Sequence, residues 1–279
     1  MKYELTACIV LYNNNVATVT KTIESFLNTK LNVKLFLVDN SPTRALEALC
    51  TINKNAIEYV FNPTNPGFGA AHNIILNKIA ALSPYHIVLN PDIYFNEGVN
   101  ESIIKYLDKN TDTALVMPKI LYPNGSTQHL AKLLPTPVNL IFRRFLPFKN
   151  MVQKMDYKYE MQYSGYNTIM NVPYLSGCYM FLRTSVLEEI GYFDDGIFMY
   201  LEDADLTRRI HKKYKTIFYP EVSVFHEFEK GSHKSKRLLK IGIESAIYYH
   251  NKWGWFFDKE RKKINKNILQ ETGYYNLKK

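Results

Sequence analysis

The sequence predicts an α/β fold with a mainly parallel central sheet flanked by helices. The first reason is that short apolar runs alternate with amphipathic helical patterns over the first 120 residues, which is typical of βαβ units. The second is that Asn or Asp side chains follow four of the predicted strands, at the edge where parallel sheets bind ligands. The third is that 279 residues with 46% hydrophobic side chains suffice for a large core, which excludes a disordered chain.

The first half of the chain alternates between predicted strands and helices. The strands are short apolar runs at residues 6–12, 33–40, 57–62 and 86–92. Helices are predicted between them, at residues 16–28, 43–52 and 68–82. In the first helix Val19, Ile23 and Phe26 recur at helical spacing, with Leu27 beside them, and therefore form its buried face.

The second half of the chain has a less regular pattern. We predict a strand and turn at 114–126, a long irregular excursion at 132–170, and a strand, helix and loop at 172–195. A helix at 198–214, a strand at 216–228 and an apolar-periodic stretch at 238–257 complete the chain. No internal repeat interrupts this order, so the chain is expected to form one large α/β body with a C-terminal extension.

Composition excludes several classes of protein. Cys8, Cys50 and Cys178 show no CxxC spacing, which argues against a disulfide framework or a zinc cluster. No run approaches the ~18–20 apolar residues of a membrane span. The N-terminus leads directly into a strand without a small-residue cleavage site, so we expect no signal peptide and a cytoplasmic location.

The net charge of +9 is concentrated in one segment. Residues 230–279 contain 13 Lys or Arg and 4 Asp or Glu, whereas residues 1–229 contain 22 of each kind. A nucleic-acid binder would spread its cations along a groove with stacking aromatics, so no nucleic-acid partner is expected. Cations beside interfacial aromatics favour the anionic inner face of the cytoplasmic membrane, and a solvated helix that caps the domain is the alternative. The aromatics are Trp253, Trp255, Phe256, Phe257, Tyr274 and Tyr275.

An acidic cluster, Glu202-Asp203-Ala204-Asp205, begins the predicted helix at 198–214. On a helix Asp205 points towards Arg208 or Arg209 one turn later, which leaves Asp203 as the acid without a partner. A free carboxylate can take a proton from an attacking hydroxyl, so Asp203 is a candidate general base. The alternative is a solvated helix N-terminus that the macrodipole favours.

The turn Asn90-Pro91-Asp92 follows a buried strand. A carboxylate there can reach a divalent cation that bridges a diphosphate, since hard cations prefer oxygen ligands. The same residues are also common in ordinary turns.

Three further segments carry weaker signals. His226 ends a strand and is either a half-buried structural residue or a ligand. The loop at 227–235 mixes glycine, hydroxyls and cations, including Ser232 and Lys234, and could cradle a phosphate or simply be flexible. Gly67 opens a helix in NPGFGAAHN, but His72 occupies the third glycine position of a dinucleotide fingerprint, which argues against a dehydrogenase.

Together these segments resemble an inverting family-2 glycosyltransferase of GT-A fold, particularly its rhamnosyltransferase-like branch. The matching segments recur in family order over about residues 5–235, as IVLYNN, VDNS, NPGFGAAHN, LNPD, SGCYMFLR, GYFDDGIFMYLEDADLTRRI and VFHEFEKGS. The resemblance implies a Rossmann-like sheet in a transferase domain at 1–230. Residues 1–115 would form its nucleotide-sugar-binding half and residues 116–230 its acceptor and catalytic half, followed by a basic helical extension at 231–279.

The resemblance also implies roles for individual residues. Donor-binding residues would be Tyr12, Asn13, Asp39, Asn40, Asn65, Gly67, Asn73, Asn90, Ser232 and Lys234. Asp92 and His226 would ligate Mg²⁺ or Mn²⁺ against the diphosphate, and Asp203 would be the catalytic base, supported by Glu202, Asp205 and Arg208. The sequence departs from the family pattern at Asn90, where many members have an aspartate. Because an amide lacks the carboxylate charge, weaker metal affinity is expected.

The activity implied by the resemblance is transfer of a sugar from a nucleotide-sugar donor, with inversion, to a hydroxyl of a lipid-linked glycan or polysaccharide. The branch implies L-rhamnose from dTDP-L-rhamnose in bacterial cell-surface biosynthesis of the O-antigen or capsule type. UDP-hexose and UDP-galactofuranose are the alternative donors. A nucleotidyltransferase would share the α/β body but leaves the acidic helix unexplained. A non-enzymatic basic membrane- or nucleic-acid-binding protein with a degenerate transferase body is a further alternative.

Overall fold

The computed structural model describes residues 1–141, 149–227 and 236–278, and these have the predicted α/β architecture. The strands are β1 Leu5–Leu11, β2 Val33–Asp39, β3 Ile57–Phe61, β4 Tyr85–Leu89, β5 Ile93–Tyr94, β6 Thr113–Leu121, β7 Ala131–Lys132, β8 Met170–Asn171, β9 Tyr174–Leu175, β10 Tyr179–Arg183 and β11 Lys215–His226. The α-helices are α1 Val16–Leu27, α2 Phe68–Ile79, α3 Val99–Lys109, α4 Pro137–Leu140, α5 Lys149–Tyr159, α6 Thr184–Ile190, α7 Glu202–His211, α8 Lys236–Trp253 and α9 Lys259–Glu271. Short 3₁₀ helices cover Glu47–Ile52, Gln162–Ser164 and Tyr274–Lys278.

Within the described residues, nine strands form one sheet in the order β3-β2-β1-β4-β10-β6-β11-β5, with β8 paired to β11. The first four strands in this order are mutually parallel, as the βαβ pattern predicts. Strand β10 then lies antiparallel between β4 and β6, so the sheet is mixed beyond β4. The parallel part brings the carboxyl ends of β1, β2 and β4 to one edge.

Local sequence explains how the first half forms. Helix α1 begins where the Asn15 side chain accepts a hydrogen bond from the backbone of Thr18, which satisfies one of the free N–H groups at a helix start. Its inner face buries Val19, Ile23 and Phe26 against the sheet, as the spacing predicted. Strands β1 and β4 are buried almost throughout, because helices cover both faces of a parallel sheet.

The predicted strand at 86–92 divides into two strands. Strand β4 ends at Leu89, and β5 begins at Ile93. Pro91 has no backbone N–H to continue a ladder, and the Asn90 N–H bonds to the carbonyl of Cys178 instead. Strand β5 pairs antiparallel with β11, with Ile93 opposite His226. The turn at 90–92 therefore lies beside the end of β11.

A second predicted element also differs in type. Residues 43–52 were expected to form a helix, and the structure has the 3₁₀ helix Glu47–Ile52 there. Leu49 is its buried residue, and Cys50 packs partly buried against the same core. The predicted excursion at 132–170 contains α4 and α5 in its described part.

The C-terminal extension packs tightly on α7 through buried charge. The Arg208 guanidinium is almost fully buried and donates two hydrogen bonds to Asp258, at 2.8 and 3.0 Å, and one to Glu260 at 2.8 Å. The Trp253 ring lies 4.1 Å from the same guanidinium, and its indole N–H donates to Asp205 at 2.8 Å. Helices α8 and α9 are therefore tied to the acidic helix.

Several charged groups of the extension serve this packing. Lys252 pairs with Asp194 at 2.6 Å and with Asp205 at 2.7 Å. Arg261 is buried and donates to backbone carbonyls, including that of Trp255 at 2.6 Å. Among the described residues, no helix is long and apolar enough to cross a membrane.

Removal of the Arg208 charge is expected to destabilise the fold strongly. The variant Arg208→Leu removes both guanidinium hydrogen bonds from the buried Asp258 carboxylate and leaves it with Arg261 at 3.8 Å, and breaking a buried pair typically costs about 3–5 kcal/mol. The measurement is the free energy of unfolding from chemical denaturation followed by circular dichroism.

Arg44→Leu is the matched control, because Arg44 pairs with Glu47 on the surface and exposed pairs contribute little. We expect its denaturation midpoint to stay close to that of the parent protein. Equal midpoints for the Arg208 variant and the parent would show that the buried pair does not hold the extension.

Candidate active site

The carboxyl ends of β1 and β2 form a polar floor. Asp39 is fully buried and accepts hydrogen bonds from the Tyr59 hydroxyl at 2.6 Å and from the Ser41 backbone N–H at 2.9 Å. Burial and the Asp39 carboxylate raise the pKa of Tyr59, so the phenol remains a donor. The Asn13 N–H donates to the Ser41 hydroxyl at 2.8 Å, which fixes the two strand ends to each other.

A ladder of amide side chains extends this floor. Asn62 donates to the side-chain oxygen of Asn40 at 2.9 Å, and Asn40 donates to that of Asn65 at 3.4 Å. Asn65 has a φ of +45°, in the left-handed region that Asn tolerates better than most residues. Tyr12 is 49% exposed at the end of β1. Five predicted donor-binding residues thus share one edge, namely Tyr12, Asn13, Asp39, Asn40 and Asn65.

Gly67 and Asn73 hold a loop against α2. Gly67 has a φ of +104°, and a Cβ atom there would lie 2.2 Å from the carbonyl oxygen of Phe198. Asn73 accepts from the Phe193 N–H at 3.0 Å and donates to the Phe193 carbonyl at 2.9 Å and to Asp195 at 2.6 Å. The structure gives both residues contacts with the 193–198 loop, which leads to α7.

Asp92 and His226 face each other across the junction of β5 and β11. His226 Nε2 lies 3.3 Å from Asp92 Oδ1. Gln128 donates from its amide nitrogen to the His226 carbonyl at 2.9 Å, so its oxygen accepts from His226 Nδ1 at 2.9 Å. This contact orients the Nε2 lone pair towards the carboxylate, as hydrogen bonds behind metal-ligating histidines do.

The Asp92 and His226 pair fits a divalent cation held partly by another molecule. Asp92 Oδ1 is buried and receives no hydrogen bond from the described residues. The described residues contain no group of three or more His, Cys, Asp or Glu side chains that could enclose a metal. Mg²⁺ commonly uses one or two protein ligands and completes its shell with water and phosphate oxygens. A cation here would therefore need a phosphate ligand.

A cavity of about 630 Å³ connects this junction with α7. Its lining includes Asn90 and His226 together with Glu202 and Asp203. Helix α8 supplies an apolar wall, formed by Leu238, Leu239, Gly242, Ile243 and Ala246. The cavity therefore joins a carboxylate, a candidate metal site and an apolar surface.

Two residues with left-handed backbone directly precede α7 and orient it towards this cavity. Tyr200 and Leu201 have φ values of +71° and +72°, and neither is glycine. Such conformations cost about 1 kcal/mol or more each and concentrate at functional sites. The turn ends in the first turn of α7 and places Asp203 at the cavity wall.

The surroundings of Glu202 and Asp203 shift the pKa values of the two carboxyl groups differently. Burial and the Asp203 carboxylate raise the pKa of Glu202 well above its usual range. Burial also raises the pKa of Asp203, but the backbone N–H groups of Gly177 and Ala204, each at 2.8 Å, favour its ionised form. The backbone hydrogen bonds therefore favour Asp203 over Glu202 as the ionised member of the pair.

The two supporting residues Asp205 and Arg208 lie behind Asp203. Asp205 is fully buried and pairs with Arg209 at 2.8 Å, so Arg209 is the partner one turn later. Arg208 points into the C-terminal extension. Both residues shape α7 from the side opposite the cavity wall. Ser232 and Lys234, predicted to bind phosphate, lie outside the described residues.

Sequence reasoning missed three contributors to the site. Gln128 orients His226, Lys132 lines the cavity, and Gly177 donates to Asp203. Gly177 lies in the SGCYMFLR segment, which the sequence analysis singled out. The hydrogen bond that Gly177 donates to Asp203 was not predicted. Gln128 and Lys132 occur in a stretch without periodicity or motif, so no local signal distinguished them.

The fold defines the class of protein. The chain is similar to the crystal structure of GalNAc-T7 with UDP, GalNAc and Mn²⁺, with a TM-score of 0.61 at 16% identity over 81% of this chain and 43% of that chain. That likeness shows the GT-A fold of glycosyltransferases, as predicted. The chain spans less than half the length of that solved structure.

The family follows from the sequence match. Residues 6–191, more than half of the chain, match the model of glycosyl transferase family 2. The chain belongs to that family and is a glycosyltransferase, which confirms the prediction.

Two curated relatives are rhamnosyltransferases. The N-acetylglucosaminyl-diphospho-decaprenol L-rhamnosyltransferase of Mycobacterium tuberculosis is 23% identical over 214 residues, 72% of this chain and 68% of that protein. Rhamnosyltransferase WbbL of Escherichia coli is 24% identical over 236 residues, 83% of this chain and 85% of that protein. The predicted rhamnosyltransferase-like character is thereby confirmed at the level of the family branch.

Proposed function

We propose that this glycosyltransferase moves L-rhamnose from dTDP-L-rhamnose, with inversion, to a hydroxyl of a lipid-linked glycan in bacterial cell-surface biosynthesis. The observation that carries the proposal is the cavity that Asp203 shares with Asn90 and His226. A base on one side and a phosphate-binding site on the other is the arrangement that a single displacement at a sugar carbon needs.

Asp203 acts as the base in this mechanism. One backbone N–H donates to each of its oxygens and the Tyr174 hydroxyl is a further hydrogen-bond partner, which leaves a lone pair for an acceptor hydroxyl. As the hydroxyl oxygen attacks the anomeric carbon, Asp203 takes its proton. One displacement inverts the anomeric centre, so no enzyme nucleophile is needed.

Asp92 and His226 hold the departing diphosphate side of the reaction. They would bind Mg²⁺ or Mn²⁺, and a bound cation supplies positive charge that stabilises the leaving diphosphate. Gln128 fixes the ring of His226 for this purpose. Asn90 offers an amide oxygen near the same turn, to accept a hydrogen bond from a sugar hydroxyl or to ligate the cation.

The polar floor binds the nucleotide in this proposal. Asp39 is fully buried and already holds Tyr59 and Ser41, so it is preorganised to accept from the base or ribose. Tyr12 is exposed beside it and can cover the base. The donor is assigned from the two rhamnosyltransferase relatives, and the neighbour's UDP keeps UDP-hexose and UDP-galactofuranose as alternatives.

The cavity walls favour an acceptor with an apolar part. Leu238, Leu239 and Ile243 of α8 line the same cavity as Asp203, and an apolar wall of this kind binds hydrocarbon through the hydrophobic effect. A lipid-linked sugar would place its hydroxyl at Asp203 and its lipid along α8. The mycobacterial relative acts on a decaprenol-linked sugar by its name.

The proposed role of Asp203 as the base leads to a testable prediction. In Asp203→Asn the amide keeps the size of the side chain but accepts no proton, so turnover should fall by at least about 10²-fold while the donor dissociation constant stays within about threefold of the parent value. The measurements are product formation by mass spectrometry and donor binding by calorimetry. Asp205→Asn serves as a comparison, because Asp205 lies behind the cavity wall.

A donor panel identifies the substrate in the same assay. Purified protein is incubated with dTDP-L-rhamnose, UDP-glucose and UDP-galactofuranose and a polyprenyl-diphosphate-linked sugar. Transfer from dTDP-L-rhamnose alone supports the proposal, and transfer only from a UDP-sugar would replace the donor. Full activity of Asp203→Asn would remove Asp203 from its role.

The second prediction concerns the cation. His226→Ala and Asp92→Asn each remove one ligand, so Mn²⁺ binding in the presence of dTDP should weaken at least about tenfold. Gln128→Leu leaves both ligands in place but removes the contact that orients the His226 ring, so it should weaken Mn²⁺ binding by about 10- to 100-fold. Electron paramagnetic resonance of free Mn²⁺ measures the affinity. His129→Ala is the control, because this histidine also lines the cavity but lies outside the proposed ligand set. Unchanged affinity in both ligand variants would contradict the site.

We also propose that the extension docks on the anionic inner face of the cytoplasmic membrane. Phe256 and Phe257 are 56% and 88% exposed between α8 and α9. The exposed Lys259, Lys262 and Lys263 follow them. Exposed aromatics beside cations match the interface of an anionic bilayer, whereas Trp253 and Lys252 are already engaged with α7.

The third prediction tests this docking. Replacement of both Phe256 and Phe257 by Ser should lower co-sedimentation with phosphatidylglycerol vesicles at least about threefold, and 0.5 M salt should lower that of the parent protein, because salt screens surface charge. Ile52→Ser changes an exposed apolar residue of the 3₁₀ helix Glu47–Ile52 and is the control. Point variants are preferred to deletion of residues 258–279, because Asp258 is the buried partner of Arg208. Equal sedimentation of the double variant and the parent would contradict docking through this loop.

A further inference from the structure

Lys132 is a cationic side chain that lines the cavity. Among the described residues that line it, Lys132 is the one Lys or Arg side chain. It ends β7, where it pairs with Tyr174 of β9, and its ammonium lies 5.6 Å from the Tyr174 ring and 6.0 Å from the Tyr159 ring. It forms no ion pair with any described carboxylate. A half-buried lysine without a paired carboxylate is uncommon, since burial of a charge normally requires a partner.

The other titratable groups of the cavity stand on several elements, and Tyr122, Tyr159 and Tyr200 are among them. Burial and the Asp203 carboxylate raise the pKa of Glu202, on the same helix, well above its usual range. Burial keeps Tyr174 of β9 in its phenol form and Cys178, before β10, in its thiol form by raising both pKa values. Remaining walls carry His129, Glu160 and His226, and burial lowers the pKa of His129. Lys132 is therefore the one Lys or Arg side chain that shares the cavity with the base among the described residues.

We propose that Lys132 is a positioning residue for the transfer reaction, whose ammonium keeps the buried Asp203 carboxylate ionised and ready to accept the proton of the acceptor hydroxyl. The inference rests on the proposed role of Asp203 as the base. In this proposal the lysine charge adds to the backbone hydrogen bonds from Gly177 and Ala204, which favour the ionised form of the same carboxylate. Because the ammonium stands on β7 and the carboxylate on α7, the two charges act across the cavity wall.

The sign of the effect follows from elementary electrostatics. Desolvation raises the pKa of a carboxylate, whereas a nearby cation lowers it. The Lys132 charge lowers the pKa of Asp203. When the lysine charge is removed, the pKa of Asp203 rises, and a larger fraction of the base is protonated and inactive at a given acidic pH. Activity on the acidic side of the pH profile must then fall, while activity at high pH recovers.

The test is the pH dependence of kcat/KM for the acceptor at saturating donor. In Lys132→Met the acidic limb of this profile should shift to higher pH by about 0.5–1 unit. The value of kcat/KM on the plateau at high pH should stay within about threefold of the parent value. Lys132→Arg keeps the charge and should restore the parent limb. Lys119→Met is the matched control, because Lys119 is also half-buried but bonds to Asn167 outside the cavity, and its profile should match that of the parent.

Each alternative outcome is distinct. An equal loss of rate at every pH in Lys132→Met, with an unmoved limb, would overturn the proposal. A raised KM for acceptor or donor with an unmoved limb would also overturn it and would make Lys132 a phosphate-binding residue. If Lys132→Met does not fold, Lys132→Gln gives the same comparison. Failure of the proposed function would be seen separately, as full activity of Asp203→Asn in the same assay.

Discussion

The buried ion pair between Arg208 and Asp258 is the constraint on which the active site depends. Helix α7 begins with three carboxylates in four residues, and such a cluster can be buried only if most of its charge is neutralised. Arg208 joins the helix to α9 at 2.8 Å, while Asp205 takes Arg209, Lys252 and Trp253 as partners. Because these contacts fix α7 from behind, its first turn can present Asp203 to the cavity.

The same arrangement gives the C-terminal extension two roles. Its net positive charge, read from the sequence, suggests a surface tail. However, Lys252 forms an ion pair with Asp205, and Arg261 donates a hydrogen bond to the Trp255 carbonyl. Helix α8 also forms the apolar wall of the cavity. In the proposed function, the extension that would meet the membrane therefore also borders the cavity in which an acceptor would bind.

Local patterns predicted the first half of the fold well and part of the site. Apolar runs and helical spacing depend on neighbours along the chain, so the strands and helices around Val19 and Ile23 were correctly placed. The strand ends followed from parallel topology, which brought Asp39 and Asn40 to one edge. The division of the strand after Leu89 was missed, because Pro91 breaks the ladder while the following residues pair with a strand more than 120 residues later.

The sequence by itself determined the class of the fold, the family and the acidic turn that contains Asp203, because these are encoded in short contiguous patterns. Only the tertiary structure decided which arginine pairs with Asp205 and how burial shifts the pKa values of Glu202 and Asp203. Gln128 and Lys132 gained their positions through the β7–β9 pairing and the end of β11, contacts between residues far apart in the chain. Burial and charge compensation are properties of those long-range contacts, and no local motif reports them.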